Sequence, residues 1–251
     1  MGRDFLGLRW VDSKAGLRRT SPRRTPSDPS NRWKAANSYL LPRLPLAESP
    51  MEFQSVVFKR RMVRHFSDEE VPDDDIDAIL RLALHAPSAG FSQGSCYVVV
   101  RDEATKRKLA EAQGESGYVD AGFDSFISAS PVLVVPCVSE KVYHDRYREP
   151  DKLGPDGKEI EWPVPYWYFD IGAGCMIVLL AAVDRGLAAT FAGAPDPVAI
   201  RRILGIPEDQ HPVGTISIGH PLPDKRSPSL KRGRKPTTQQ VFYEAYGRSE
   251  R

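Results

Sequence analysis

The feature that most constrains the fold is an apolar segment of 13 residues without a charge, residues 171–183. A membrane-spanning helix needs about 20 such residues, so we predict a core helix over residues 166–186. Small residues near its start, Gly172 to Gly174, allow another helix to approach closely. Either a dimer interface or packing within the domain accounts for them.

The core helix belongs to a folded part that begins near Met51. Residues 1–50 carry 10 Lys and Arg against 4 Asp and Glu, with many Pro, Ser and Thr. Without apolar periodicity this segment cannot bury enough surface to offset chain entropy. We predict a disordered basic leader over residues 1–50, dispensable or preceding a natural start at Met51, and a domain over residues 51–251. The alternatives for the leader are a transit peptide and a tail that binds nucleic acid or membrane.

Composition narrows the class of protein. Hydrophobic residues make up 41% and charged residues 27% of the 251 residues, as in soluble globular proteins. The cysteines Cys96, Cys137 and Cys175 are widely separated, which argues against a zinc site or a disulfide framework. We expect three buried thiols and a cytoplasmic protein.

Helical and strand patterns alternate along the folded part. Apolar residues at helical spacing predict a helix that follows Pro72, with Asp73 to Asp75 at its positive end. The same reasoning predicts helices over residues 102–113, 119–129 and 196–204, and strands over residues 96–100, 132–138, 188–192 and 213–219. Residues 139–165 lack periodicity and are rich in Pro and Gly, which predicts an irregular lid or mobile insert.

A G-x-S-x-G pattern at residues 90–94 raises the possibility of a serine hydrolase with Ser92 as the nucleophile. Asp196 and then His211 or His220 follow in the order that such enzymes use. The nucleophile elbow requires a strand before the serine and a helix after it. Here the predicted helix precedes and the strand follows, so the hydrolase is the disfavoured alternative.

Three further segments share a capacity to bind phosphate or a flat ring. Arg60, Arg61 and Arg64 flank Met62, a Pro-Ser-Ala-Gly loop starts at Pro87, and a basic cluster occupies residues 231–235. Guanidinium groups bind phosphate through two hydrogen bonds, and such a loop offers backbone amides.

Over residues 53–247 the sequence resembles the FMN-dependent nitroreductase family. Family members carry R-R-S-x-R before the first helix, A-P-S-x-x-N-x-Q-P-W after it, G-L-G-x-x-x-x-G after the central helix, and a late basic residue. The matching segments are residues 60–64, 86–95, 186–193 and 232–235. Met62 replaces the small polar residue, Phe91 the Asn, and Gly94-Ser95 the Pro-Trp.

The resemblance implies an α+β fold, a mainly antiparallel sheet flanked by helices, in an intertwined homodimer with FMN at the interface. The helix over residues 166–186 would pack against its twin, and an arm at residues 241–246 would embrace the partner. Family members pass two electrons from NADH or NADPH through FMN to a nitroaromatic, quinone or other flat acceptor. Because the flavin carries the redox chemistry, no catalytic side chain is assigned.

The resemblance also implies cofactor contacts. The arginines before the first helix and Arg234 are expected at the phosphate, ribityl chain or ring edge, with Lys231, Arg232 and Lys235 as alternatives to Arg234. The predicted cofactor-binding residues are Arg60, Arg61, Met62, Arg64, Pro87, Ser88, Ala89, Gly90, Gln93, Thr190, Gly193 and Arg234.

The departures at Met62 and Phe91 keep a second hypothesis open, a flavin-binding or sequestration module without reductase activity. In either case the expected partners are a small molecule and a second copy of the chain. No metal, nucleic acid or membrane is expected.

Overall fold

A five-stranded antiparallel sheet lies at the centre of the computed structural model, which describes residues 51–250; the predicted leader lies outside the described residues. The strand order is β1-β2-β5-β3, and β4 also pairs with β2. Strand β2, which is rich in Val, is buried on both faces because helices cover the sheet on both sides. The strands are β1 (Ser95–Val100), β2 (Val132–Val138), β3 (Ala188–Gly193), β4 (His211–Pro212) and β5 (Gly214–Gly219).

Seven α-helices accompany the sheet within the described residues. They are α1 (Phe53–Lys59), α2 (Asp73–Ala83), α3 (Glu103–Ala112), α4 (Glu115–Asp120), α5 (Glu140–Tyr147), α6 (Tyr166–Asp184) and α7 (Pro197–Leu204). Local chemistry defines the ends of α7: the Asp196 side chain accepts a hydrogen bond from the Ala199 amide at 2.8 Å, and Gly205 ends the helix with a φ of 64°.

The side chains of each strand alternate between two cores. On one face, α2 and α6 pack against Val134, Ile216 and Ile218. On the other face, α3 and α7 pack against Leu133 and Val135. The α+β fold with an antiparallel sheet flanked by helices is confirmed.

The central helix α6 is buried on one side only. Ile171, Val178 and Leu179 face the core, whereas Tyr168 and Met176 are exposed. By length and composition α6 would suffice for a membrane span, but half of that stretch is buried in the domain. The prediction of a core helix is therefore confirmed for the face that packs against the sheet, whereas the opposite face is exposed.

The two glycines near the start of α6 have different surroundings. A Cβ at Gly174 would collide with the hydroxyl of Tyr97 on β1, so this glycine is needed for packing within the domain. Gly172 is exposed, and a Cβ there would meet nothing within 4 Å.

Three sequence predictions are wrong. The helix predicted over residues 119–129 forms earlier, over Glu115–Asp120. It ends there because Gly122 turns with a φ of 80° and the Glu115 carboxylate accepts a hydrogen bond from the amide of Ile127 at 2.6 Å. Residues 139–165 are not wholly irregular, since α5 forms there with only Tyr143 buried and therefore little apolar periodicity. Cys96 is exposed at the start of the edge strand β1, while Cys137 and Cys175 are buried as expected. The short helix α1 was not predicted.

Candidate functional site

Residues 60–64, the arginine segment, run alongside β3. Met62 forms a parallel bridge with Ala189, and the Val63 amide donates to the Ala189 carbonyl at 3.5 Å. An extended chain points successive side chains to opposite sides. The main chain thus holds the segment in place, while its arginines point in different directions.

Arg60 and Arg61 have unequal surroundings. Arg60 is half-buried, and its Nη1 is fully buried with no hydrogen-bond partner in the described part of the chain. Buried donors are nearly always paired in native proteins, so an unpaired one requires an explanation. Arg61 is exposed and lines a cavity of about 500 Å³ together with Lys59 and Pro221.

Arg64 contacts two aromatic rings, and its buried Nε, like Arg60 Nη1, has no hydrogen-bond partner among the described residues. Its guanidinium lies 5.1 Å from the centre of the Phe123 ring and 5.6 Å from that of Phe126. Such contacts attract a cation to the ring face. Its backbone amide donates to Asp224 Oδ2 at 2.9 Å.

An apolar groove of about 340 Å³ lies between β3 and the exposed face of α6. Met62 and Phe191 form one wall, and Gly172 leaves room on the other. Met62, which departs from the family pattern, therefore contributes an apolar wall at the edge of the groove. The remaining lining residues are Tyr168, Ile171, Cys175, Met176, Leu179 and Val213.

The 87–93 loop lies between α2 and β1, and hydrogen bonds join residues within it. The Gln93 amide donates to Ser88 Oγ at 3.0 Å, and Ser92 Oγ donates to the Ala89 carbonyl at 2.6 Å. Gly90, Phe91 and Gln93 have φ values of 62°, 57° and 55°. The left-handed conformation is unfavourable for the two non-glycine residues.

The surroundings of Ser92 do not form a nucleophile elbow. The serine follows a single 3₁₀ turn, Ala89–Phe91, between a helix and a strand. Its hydroxyl donates a hydrogen bond to the Ala89 carbonyl of the same loop and not to a histidine. The structure thus agrees with the expectation that Ser92 is not a hydrolase nucleophile.

Side chains from distant elements hold the 87–93 loop. The Ala89 amide donates to Asp170 Oδ2 at 2.8 Å, and Tyr143 Oη donates to the same oxygen at 2.9 Å. Arg146 Nε donates to the Gly90 carbonyl at 3.0 Å. Burial raises the pKa of Tyr143, and its hydrogen bond to the Asp170 carboxylate adds to that rise, so the phenol stays a donor.

None of the three side chains that hold the loop in place was predicted from the sequence. Asp170 is a single carboxylate in the otherwise apolar first half of α6, which was an available signal because a buried charge needs a partner. Tyr143 and Arg146 belong to α5, whose formation was not predicted.

The remaining predicted cofactor residues lie in different places. Thr190 is 1% exposed and shares a face of β3 with Ala188 and Ala192. These two alanines pack in the core formed with α3 and α7, on the side of the sheet away from the groove. Gly193 is exposed at the end of β3, and Arg234 is exposed in the C-terminal segment, as are Lys231, Arg232 and Lys235. Pro87 and Gln93 are exposed on the loop.

The structure does not gather all the predicted residues around one point of a single chain. It brings Met62 to the groove and leaves Nη1 of Arg60, two residues earlier in the same segment, unpaired. No hydrogen bond or ion pair between described residues joins the arginine segment to the 87–93 loop. Nor does any group of three or more His, Cys, Asp or Glu in residues 51–250 have a metal-binding arrangement.

A model of the Nitroreductase family matches residues 57–220. The chain belongs to the nitroreductase family. A putative NADH dehydrogenase/NAD(P)H nitroreductase of Archaeoglobus fulgidus is 29% identical to this family member over 178 residues, 69% of this chain and 88% of the relative. Iodotyrosine deiodinase 1 of Homo sapiens is 27% identical over 203 residues, 76% of this chain and 68% of the relative.

Solved structures of the family share the fold. A putative NADH dehydrogenase/NAD(P)H nitroreductase from Bacteroides thetaiotaomicron has a TM-score of 0.59 at 22% identity and covers 79% of this chain and 100% of its own. Oxidised iodotyrosine deiodinase bound to FMN and 3-iodo-L-tyrosine has a TM-score of 0.55 at 19% identity, with 70% and 92% covered. The family membership makes this chain an oxidoreductase-like enzyme of the nitroreductase fold.

Proposed function

We propose that this family member binds FMN and passes two electrons from NADH or NADPH to a nitroaromatic, a quinone or a similar flat acceptor in the cytoplasm. The observation that carries the proposal is the buried, unpaired Nη1 of Arg60 in the segment that also supplies Met62 to the apolar groove. An anionic cofactor with an apolar ring would satisfy both features.

The residues present fit FMN in two respects. Arg60 offers an unpaired N–H to a phosphate or ribityl oxygen, and charge-assisted hydrogen bonds of this kind are the stronger ones. The groove accepts a flat ring against Met62 and Phe191. When bound, FMN supplies two-electron hydride transfer, and the chain supplies binding and orientation.

Other predicted contacts take supporting positions in this proposal. Arg61 and Arg234 are exposed and add positive charge toward the phosphate. Arg64 is held by two aromatic rings and would act mainly by fixing the segment. Gly193 lets a ligand approach the end of β3, because a Cβ there would meet nothing within 4 Å.

A homodimer is part of the same proposal. The exposed face of α6 presents Tyr168 and Phe169, and α1 exposes Phe53 and Phe58 by 71% and 83%. Exposed large apolar side chains on a helix face are typical of an interface. A second copy would cover it and would bring its 87–93 loop to the groove, with Pro87, Ser88 and Ala89 against the flavin ring.

Reductive deiodination of iodotyrosine is a second candidate. It is favoured by the match to deiodinases over 76% of this chain. In that reaction an aryl iodide takes up two electrons and a proton, and iodide leaves.

The experiment starts from the purified full-length chain. We expect released flavin to run as FMN by reverse-phase chromatography, or added FMN to bind to a deflavinated sample with quenched fluorescence. Steady-state oxidation of NADPH and NADH is then followed with a nitroaromatic, a quinone and 3-iodotyrosine, with iodide measured for the last. Iodide release without nitroaromatic or quinone reduction would select the second candidate, and FAD or no bound flavin would contradict the proposal.

A further inference from the structure

Asp170 is a carboxylate in an apolar helix, and its placement needs a reason. It is 5% exposed, next to Ile171 in the first core. Removing a carboxylate from water is unfavourable unless hydrogen bonds replace the lost hydration. Its described partners are the Ala89 amide and the Tyr143 hydroxyl, at 2.8 and 2.9 Å from the same oxygen. Both partners lie outside α6, so the carboxylate serves other segments.

The 87–93 loop is the segment that needs such support. Phe91 and Gln93 adopt the left-handed conformation without being glycine, which is unfavourable unless the surroundings impose it. The internal bonds of Ser88 and Ser92 tie the loop to itself but not to the domain. The ties to the domain come from Asp170 and from Arg146, which also pairs with Asp151 at 2.7 Å.

Close packing adds a third restraint. A Cβ at Gly90 would lie 2.6 Å from Cε2 of Tyr147, so the ring of Tyr147 lies directly against the loop. The helix α5 thus contacts the loop through Arg146 and Tyr147, and contacts Asp170 through Tyr143.

We propose that Asp170 is a positioning residue that sets the shape of the 87–93 loop for flavin binding, with α5 as the second half of the clamp. The inference rests on the proposed function, because the loop is a predicted flavin contact. Asp170 acts through the loop, because it is 5% exposed and its Oδ2 accepts a hydrogen bond from the Ala89 amide. The Ala89 amide is in turn committed to Asp170 and is not a donor for the ligand.

Three variants of the full-length chain test the clamp. Asp170→Ala removes both hydrogen bonds and leaves the Ala89 amide unpaired. Asp170→Asn keeps one amide oxygen, which can accept from both the Ala89 amide and Tyr143 Oη, so it is the conservative rescue. Lys106→Ala is the matched control, because Lys106 is 3% exposed and donates to the Ser130 carbonyl at 2.7 Å in a different part of the fold.

Two measurements are made on each variant well below its melting temperature. FMN affinity of the deflavinated protein is measured by flavin fluorescence, and hydrogen exchange of the 87–93 loop is measured without flavin. We expect the FMN affinity of Asp170→Ala to fall about tenfold or more, as for one lost strong hydrogen bond. The Ala89 amide hydrogen of this variant should exchange faster than in the wild type. Asp170→Asn should stay within about threefold of wild type in affinity. Lys106→Ala should lower the melting temperature and leave both loop readouts unchanged.

The contrary results are distinct. Wild-type affinity and exchange in folded Asp170→Ala, or an equal loss of affinity in Lys106→Ala, would overturn the role of Asp170 alone. Failure of the wild-type chain to bind FMN would overturn the proposed function and the flavin role together. If Asp170→Ala does not fold, Arg146→Met tests the same clamp from the half-buried side of α5. A several-fold loss of affinity with faster loop exchange would support the clamp, and wild-type values would overturn it.

Discussion

The arginine segment and the 87–93 loop, the two parts of the predicted cofactor site, are held in place by different means. The arginine segment is held by its own main chain through the bridge between Met62 and Ala189. The loop is held by side chains of other elements, Asp170 and Arg146. A main-chain bridge tolerates many side chains, whereas a side-chain clamp depends on particular residues. The same difference explains why the first part could be recognised from a motif and the supports of the second could not.

The largest expected effect comes from the arginine segment. Replacing both Arg60 and Arg61 with Ala should reduce FMN affinity at least tenfold per lost contact, since charge-assisted hydrogen bonds contribute about 1.5–3 kcal/mol each and about 1.4 kcal/mol is a factor of ten. Arg60→Ala alone should account for more of the loss than Arg61→Ala, because Arg60, unlike Arg61, has a buried nitrogen without a partner. Fluorescence titration of the deflavinated proteins measures both.

The melting temperature without flavin serves as the control for these variants. Surface substitutions usually change stability by no more than about 0.5 kcal/mol. Wild-type affinity with an unchanged fold would contradict the assignment of the arginine segment to the cofactor.

The next effect tests the loop. Gly90→Ala should destabilise the protein by about 1–2 kcal/mol, because the left-handed conformation disfavours a Cβ and the Tyr147 ring occupies its place. For a domain of this size the melting temperature should fall by roughly 2–4 °C per kcal/mol. Gly193→Ala is the matched control, since its Cβ meets nothing within 4 Å, and it should melt like wild type. Equal melting of the two variants would show that the loop is not tightly held.

A smaller effect concerns the contact between α5 and the segment that follows it, at Glu159. His144 on α5 pairs with Glu159, and this hydrogen bond raises the pKa of His144 above its ordinary 6.5. A raised folded-state pKa gives stability that is fully present below pH 6.5 and is lost as the pH rises through the raised value. His144→Gln should therefore lose up to about 1 kcal/mol at pH 6 and almost nothing at pH 9. Chemical denaturation of both proteins at the two pH values measures it, and a pH-independent difference would refute the ion pair.

The smallest effect is a chemical one at the junction of the loop with β1. Cys96 is exposed and lies opposite Cys137 in the β1–β2 pair, and the neighbouring Cys137 thiol lowers the pKa of Cys96 to about 7. We expect iodoacetamide to modify Cys96 first, with a rate that rises through pH 7, while Cys137 and Cys175 react only on unfolding. Peptide mass spectrometry identifies the site. The Cys96→Ser variant is the control, and rapid labelling of that folded variant would contradict the assignment.

Elements with a strong apolar pattern were predictable. The strand β2 and the helix α2 were predicted because their burial imposes a regular spacing of apolar residues. The helix α5 was not, because Tyr143 is its one buried residue and charged pairs such as Lys141 with Asp145 stabilise it instead. Helix α4 was extended too far because the turn at Gly122 and the bonds of Glu115 to the loop depend on tertiary contacts.

The site shows the same division. A motif predicted the residues of the arginine segment and of the 87–93 loop, but their partners are remote in sequence. Asp170 lies 81 residues from Ala89, and Arg146 lies 56 residues from Gly90. No local pattern contains such pairs. The different orientations of Arg60 and Arg61 likewise follow from the bridge to β3, which the motif does not encode.

An anaerobic visible spectrum decides whether this chain acts as the flavin-dependent oxidoreductase that we propose. The purified full-length protein, loaded with FMN, is recorded in the visible range before and after the addition of NADPH or NADH. We expect a yellow protein whose absorption near the flavin maximum is bleached by at least one of the two donors and returns when a quinone is added. A colourless protein that takes up no FMN, or a yellow protein that neither donor bleaches, would contradict it.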